Sequence, residues 1–227
     1  HISVPLKFGC MLAKRLFTGL FLLTVCVPSF AQTDTWRIKA DRIDPSNYYG
    51  ITVANGMIGI VSAPEPFRIK DVVLNGAYDQ YGRGRVSNFL KSFNFLNMYL
   101  EIEGRRLSAK DVTNMHQELD MKHAAFTTSF DYKDAASISY SYYALRHLPY
   151  CGMTDVTIVP KKDIEITAAS VMEAPDALRD VQNYYNEIDR PHVVLSLLTS
   201  TAKSPTGKLQ LCASNSFLFN EPHGKEP

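Results

Sequence analysis

Charge of one sign is what this sequence lacks. Its 24 lysines and arginines face 23 aspartates and glutamates, neither sign forms a long run, and the formal charge is +1. A polyanion is held by a basic stripe, so no nucleic-acid partner is expected. Cysteine is scarce as well: four are present, none in a Cys-x-x-Cys or paired Cys/His spacing, which leaves no basis for a structural zinc site. There is no Gly-x-Ser-x-Gly elbow to present a nucleophilic serine, no internal repeat and no low-complexity tract. Long apolar runs are missing too. The stretch at 16–27 (LFTGLFLLTVCV) stops at Pro28, short of the about 18 apolar residues that a membrane-spanning helix needs.

That short run has a meaning of its own. Met11-Leu12-Ala13-Lys14-Arg15 makes a basic start and Pro28-Ser29-Phe30-Ala31 ends in small residues, which together with the apolar centre is the pattern of a secretory signal peptide. A lipoprotein reading through Leu23-Thr24-Val25-Cys26 is disfavoured by the valine before the cysteine. The expectation is an exported protein, periplasmic or extracellular, with no membrane span after signal cleavage. Residues 1–31, including an upstream extension before Met11, are set aside from the fold. Cys151 and Cys212 then remain, in an oxidising compartment where they could form one disulfide; sequence does not say whether their positions meet.

What is abundant is apolar and aromatic side chain: 45% of residues are hydrophobic, with 12 Tyr and 12 Phe, enough for a sizeable core. They recur at period two in runs bounded by turn residues, the mark of antiparallel sheet. Residues 50–54 and 57–61 flank Asn55-Gly56, the favoured pair for a two-residue hairpin turn. In residues 97–104, Met98, Leu100 and Ile102 point one way and Tyr99, Glu101 and Glu103 the other. In residues 125–132, Phe126, Thr128, Phe130 and Tyr132 share one face. Further strands are predicted over 137–145, 154–159, 164–171, 193–199 and 208–217. Strands in this number, with no strong helical period, need one face covered; the predicted fold is all-β, a large antiparallel two-sheet β-sandwich with short helical or irregular loops. Residues 78–92, rich in Gly and Arg, read as irregular, and 174–189 as a weak helix ended by Pro191. The sandwich is expected over 32–219, with 220–227 a polar linker cut off inside a longer protein.

Candidate chemistry is thin. Glycoside hydrolysis uses two carboxyl groups about 5 to 9.5 Å apart, and Glu101 and Glu103, two apart on one strand face, lie at roughly 7 Å. A solvated strand face gives the same pattern, and no other polar group converges there. Asp131 and Asp134 flank a turn, which explains them. His116, Asp120 and His123 form His-x3-Asp-x2-His, a spacing that fits no metal motif, so no metal is expected. Tyr48, Tyr49, Tyr78, Tyr81, Tyr184 and Tyr185 are read as lying in loops or at strand ends, where exposed rings stack on sugars or else cap the core.

Five short motifs occur in an order that resembles the N-terminal domain of glycoside hydrolase family 65: Trp36-Arg37-Ile38, Asn55-Gly56-Met57-Ile58-Gly59, Gly76-Ala77-Tyr78-Asp79, Phe95-Leu96-Asn97-Met98 and Leu119-Asp120-Met121-Lys122. After the last, Ala124 and Thr128 stand where the family pattern has glycine and arginine. The resemblance implies a β-sandwich placed before a helical (α/α)6 barrel that carries the catalytic acid, so that no catalytic residue is expected in this chain. It implies an α-linked gluco-oligosaccharide as substrate of the complete protein, kojibiose-, maltose- or trehalose-like, and a homodimer. No cofactor is expected; inorganic phosphate enters as co-substrate only in a phosphorylase. Export favours inverting hydrolysis over phosphorolysis, since a sugar phosphate benefits a cell only when made inside it. The sandwich loop expected nearest the substrate holds Tyr78, Asp79, Tyr81 and Arg83, where Gly82 and Gly84 free the backbone. The alternative is a free-standing carbohydrate-binding or dimerisation module without catalysis.

Overall fold

The computed structural model describes residues 35–82, 86–190 and 193–218. The signal-peptide segment, Arg83, Pro191 and the tail at 220–227 lie outside them.

Among the described residues, period-two alternation becomes fifteen antiparallel strands, and the helical pieces are two 3-10 turns, Pro45–Asn47 and Ala109–Asp111. A five-stranded sheet has the order β1 (Arg37–Ala40), β8 (Val112–Asp120), β9 (Ala125–Tyr132), β10 (Ala136–Ala144), β11 (Gly152–Pro160). Its inner face packs on two others. One runs β2 (Thr52–Ala54), β3 (Ile58–Ser62), β4 (Ile69–Gln80), β5 (Ser87–Ser92); the second runs β12 (Ile166–Glu173), β6 (Asn94–Ile102), β7 (Arg105–Arg106). A further sheet of β13 (Arg179–Arg190), β14 (Val193–Lys203) and β15 (Gln210–Asn215) continues the layer beside β6 and β12.

The main core lies between the five-stranded sheet and the layer facing it. Phe126, Phe130 and Tyr132 of β9 and Ile138, Tyr140 and Tyr142 of β10 meet Ile58, Ile60, Val72, Leu100 and Ile102, each burial stabilising by about 1.5–3 kcal/mol. Phe67 stands at the centre, its ring 4.4 Å from that of Tyr140. A second core gathers Leu90, Phe93, Leu178, Ala202 and Leu211, and ties β5 to the β13–β15 sheet. The Phe126, Thr128, Phe130, Tyr132 face predicted for β9 is buried and the Thr127, Ser129, Asp131 face half-open.

Three expectations need correction. Residues 174–189 are not helical: β13 pairs with β14 from Arg179↔Lys203 to Arg190↔Val193. The described part of 78–92 is mostly strand and not irregular: β4 pairs with β5, with Tyr78↔Phe89 and Gln80↔Ser87 in register. The turn at Asn55-Gly56 is displaced by one residue. The Asn55 backbone N–H donates to the Ile58 carbonyl at 3.2 Å, so Gly56 and Met57 are the central pair, and Gly56 supplies the positive φ of +91°. The Asn55 side chain explains the shift: its Oδ1 accepts from the Met57 and Ile58 N–H groups while its Nδ2 donates to the carbonyls of Leu145 and Pro149.

Candidate functional site

Glu101 and Glu103 do not share a strand face. Glu101 lies on β6 one residue before its end, half-buried, whereas Glu103 sits in the turn beyond it at φ +51° and its Oε1 accepts from the Glu165 N–H at 2.8 Å. The carboxyl pair is thus split by the turn, and Glu103 serves to fasten the β6–β7 turn to the chain preceding β12.

Of His116, Asp120 and His123, the last two stay paired and His116 is engaged elsewhere. The His116 Nδ1 bonds Asp41 in the chain after β1. Asp120 Oδ1 accepts from the Lys122 and His123 N–H groups at 3.0 Å, its Oδ2 lies 2.8 Å from His123 Nδ1, and Arg37 stands at 3.5 Å. Asp120 is therefore the clasp of the β8–β9 turn, and the His123 hydrogen bond, above all, holds its carboxyl below the usual range. The same turn holds Ala124 at φ +52°, a left-handed conformation suited to glycine. Among the described residues no group of three His, Cys, Asp or Glu is placed to hold a metal ion.

On the outer face of the five-stranded sheet, a shallow groove of about 280 Å³ is lined by Asn114, Ser129, Asp131, Ser137, Ser139 and Thr157. Its carboxylate is already committed. Asp131 accepts from Ser137 at 2.6 Å, Lys161 at 2.9 Å and Asn114 at 2.9 Å, and these donors, Ser137 first, push its pKa down. A carboxylate held below its usual pKa by three donors has no proton to give at neutral pH and is a weak base.

The residues expected in a substrate-facing loop take other positions. Tyr78 and Asp79 lie on β4 rather than in a loop, and only Tyr81 follows the strand end. Tyr78 stacks on Phe89 at 5.1 Å, and the Tyr81 hydroxyl donates to the Phe89 carbonyl at 2.6 Å. Asp79, 4% exposed, accepts from the Thr206 hydroxyl and N–H at 2.7–2.9 Å. A hydrogen bond from Ser204 above all, and then those from Thr206, depress its pKa, so Asp79 pins the β14–β15 turn to β4. Cys151, before β11, and Cys212, on β15, are both free and exposed.

A polar cluster that alternation conceals runs through the core boundary. Asn97, 1% exposed on β6, accepts from the Ile69 N–H at 2.6 Å and donates to Glu173 Oε2 at 2.8 Å. Glu173 in turn receives the Arg68 Nη2 at 2.6 and 2.7 Å. This links β4, β6 and β12 at a single point. The one sequence signal was an asparagine among the apolar residues of Phe95-Leu96-Asn97-Met98. Deeper still, the Tyr140 hydroxyl is bonded to Thr128 and the Phe67 backbone, with burial pushing its pKa up to about 12, while the Tyr142 hydroxyl has no partner among the described residues and burial drives it higher than usual as well. The polar groups singled out here hold strands and turns together.

Residues 50–220 match the family described as glycosyl hydrolase family 65, N-terminal domain. A kojibiose hydrolase of Mucilaginibacter mallensis is 67% identical over 214 residues, and a kojibiose hydrolase of Flavobacterium johnsoniae 49% identical over 216. In both, the alignment takes in 94% of this chain and 32% of the relative, so the chain spans about a third of the length of the curated relatives it matches. With well over half of its residues matched, the chain belongs to glycosyl hydrolase family 65, of which it carries the N-terminal domain.

Proposed function

We propose that this sandwich is the accessory N-terminal domain of an exported glycosidase that cleaves kojibiose or a related α-linked glucoside by inverting hydrolysis, using water rather than phosphate. The observation that carries the reading is the 67% and 49% identity to two kojibiose hydrolases of different bacteria across nearly the whole chain. Export is supported by the basic, apolar and small-residue succession at 11–31. An inverting mechanism sets an acid and a base about 6.5–9.5 Å apart across the scissile bond. Glu101 and Glu103, the pair that met that distance by sequence, are divided between a strand end and a turn, and Asp79, Asp120 and Asp131 are bound to structural donors. The reading therefore assigns catalysis to the remaining two thirds of a polypeptide like its relatives, and support of that catalytic part to this domain. The test is glucose release from kojibiose, maltose and trehalose by the full-length protein, with and without phosphate. Phosphate-independent release, fastest with kojibiose, is the expected result; no release from any of the three overturns the reading, and release only with phosphate replaces hydrolysis by phosphorolysis.

A further inference from the structure

Strand β13 is exposed at every described side chain from Arg179 to Ile188. Among the described residues it is an edge strand, paired with β14 alone. The third strand stops early: Asn215, the last residue of β15, pairs with Leu198, while β13 and β14 continue together to Arg190↔Val193. Beyond Leu198 the sheet is therefore a two-stranded ribbon. Cross-strand partners share a face, which sets Tyr185, 65% exposed, beside Leu198 on one side and Tyr184 and Ile188, 48% and 40% exposed, with Leu197 on the other. A two-stranded ribbon has marginal stability when uncovered, and an open edge with apolar side chains is a pairing surface. Both faces and the edge call for a cover.

The path of the chain selects the occupant. β15 runs antiparallel to β14, toward the ribbon tip, and is anchored at its end by the Asn215 side chain, which donates to the Phe95 carbonyl at 2.9 Å. Leu218, three residues on, is 83% exposed. Polypeptide continuing from there starts at the ribbon's root, and a short tether gives it a high effective concentration over the ribbon; the kojibiose hydrolases have about two thirds of their length outside the aligned part. We infer that the β13–β14 ribbon is a docking arm, clasped on both faces by the C-terminal part of the same polypeptide. The inference rests on the reading above that this domain belongs to such a longer hydrolase.

The test is amide hydrogen exchange on the full-length protein. Residues 183–188 are expected to be protected, and Tyr184→Asp combined with Ile188→Asp to speed their exchange at least about tenfold while β9 is unchanged. Both side chains are exposed in the sandwich itself, so the variant keeps the fold, and the β9 amides verify that. Unchanged exchange at 183–188 in the variant overturns the inference. So does protection that disappears on dilution along with a dimer seen by light scattering, since the cover is then a second copy. Kojibiose cleavage is assayed separately: an active protein with an unprotected ribbon sinks the docking arm alone, and an inactive one whose ribbon protection responds to the variant sinks only the substrate reading.

Discussion

Replacing Asn97 by leucine, similar in size but without polar atoms, isolates the contribution of the buried link between β4, β6 and β12. The substitution strands the N–H of Ile69, itself 3% exposed, and an unsatisfied buried donor costs about 1–3 kcal/mol. It also removes one donor from Glu173, but that side chain is 40% exposed, so water takes over and the added loss is below about 1 kcal/mol. The expected destabilisation is about 2–3 kcal/mol. Glu173→Gln keeps an acceptor for Asn97 and gives up the charge opposite Arg68, a half-exposed pair worth less than about 1 kcal/mol. Equilibrium urea denaturation followed by circular dichroism measures both. The reasoning is refuted if Asn97→Leu costs less than about 0.5 kcal/mol, or if the two variants are equally destabilised, because the loss would then lie in the ion pair and not in the stranded amide.

Other consequences follow from single groups. Tyr142→Phe removes a hydroxyl without a partner and is expected to be neutral or stabilising by up to about 1 kcal/mol, while Tyr140→Phe, which breaks bonds to Thr128 and the Phe67 backbone, costs about 1 kcal/mol; thermal melts that rank them the other way contradict the assignment. Ala124→Gly relieves a left-handed alanine and should raise stability by about 0.5–1 kcal/mol, read from the same melts. Gly50→Ala should destabilise by about 2–4 kcal/mol, since Gly50 has φ +86° and a Cβ there would meet the Ser62 carbonyl oxygen at 2.7 Å. The depressed pKa values of Asp79, Asp120 and Asp131 bear on acid stability. Each binds fewer protons folded than unfolded, so its contribution is intact above the unfolded value near about 4 and is lost as pH falls below it. Urea midpoints measured downward from pH 5 should drop, and drop less in Asp131→Asn.

How much of this was legible depended on whether burial wrote a period into the strand. β9 and β10 have one face in the core and one in the open, and their alternation is uninterrupted, so the faces could be assigned residue by residue. β8 has a bulge between Thr113 and His116, with Asn114 at φ +52°, and the extra residue flips the alternation midway, which hid a nine-residue strand. β13 has no buried face at its described residues, so nothing selected an apolar period and RDVQNYYNEIDR resembled a weak helix. The strand placement of Tyr78 and Asp79 was hidden for a related reason: Gly82 and Gly84 suggested irregular chain, but Asp79 is drawn inward by Thr206 across 127 residues of sequence, a distance that local reading does not bridge. Asp120 was legible as a turn residue because its partners are two and three residues away.

The central claim is that this domain supports a hydrolase without carrying its reaction. It is tested most directly by comparing the full-length protein with residues 32–218 alone in phosphate-free buffer containing kojibiose, following the released sugar and its anomeric form by NMR. The account predicts glucose from the full-length protein, with the newly freed anomeric centre appearing first in the β form as inversion of an α-linkage requires, and none from the isolated domain. Glucose release by residues 32–218 on their own would contradict it.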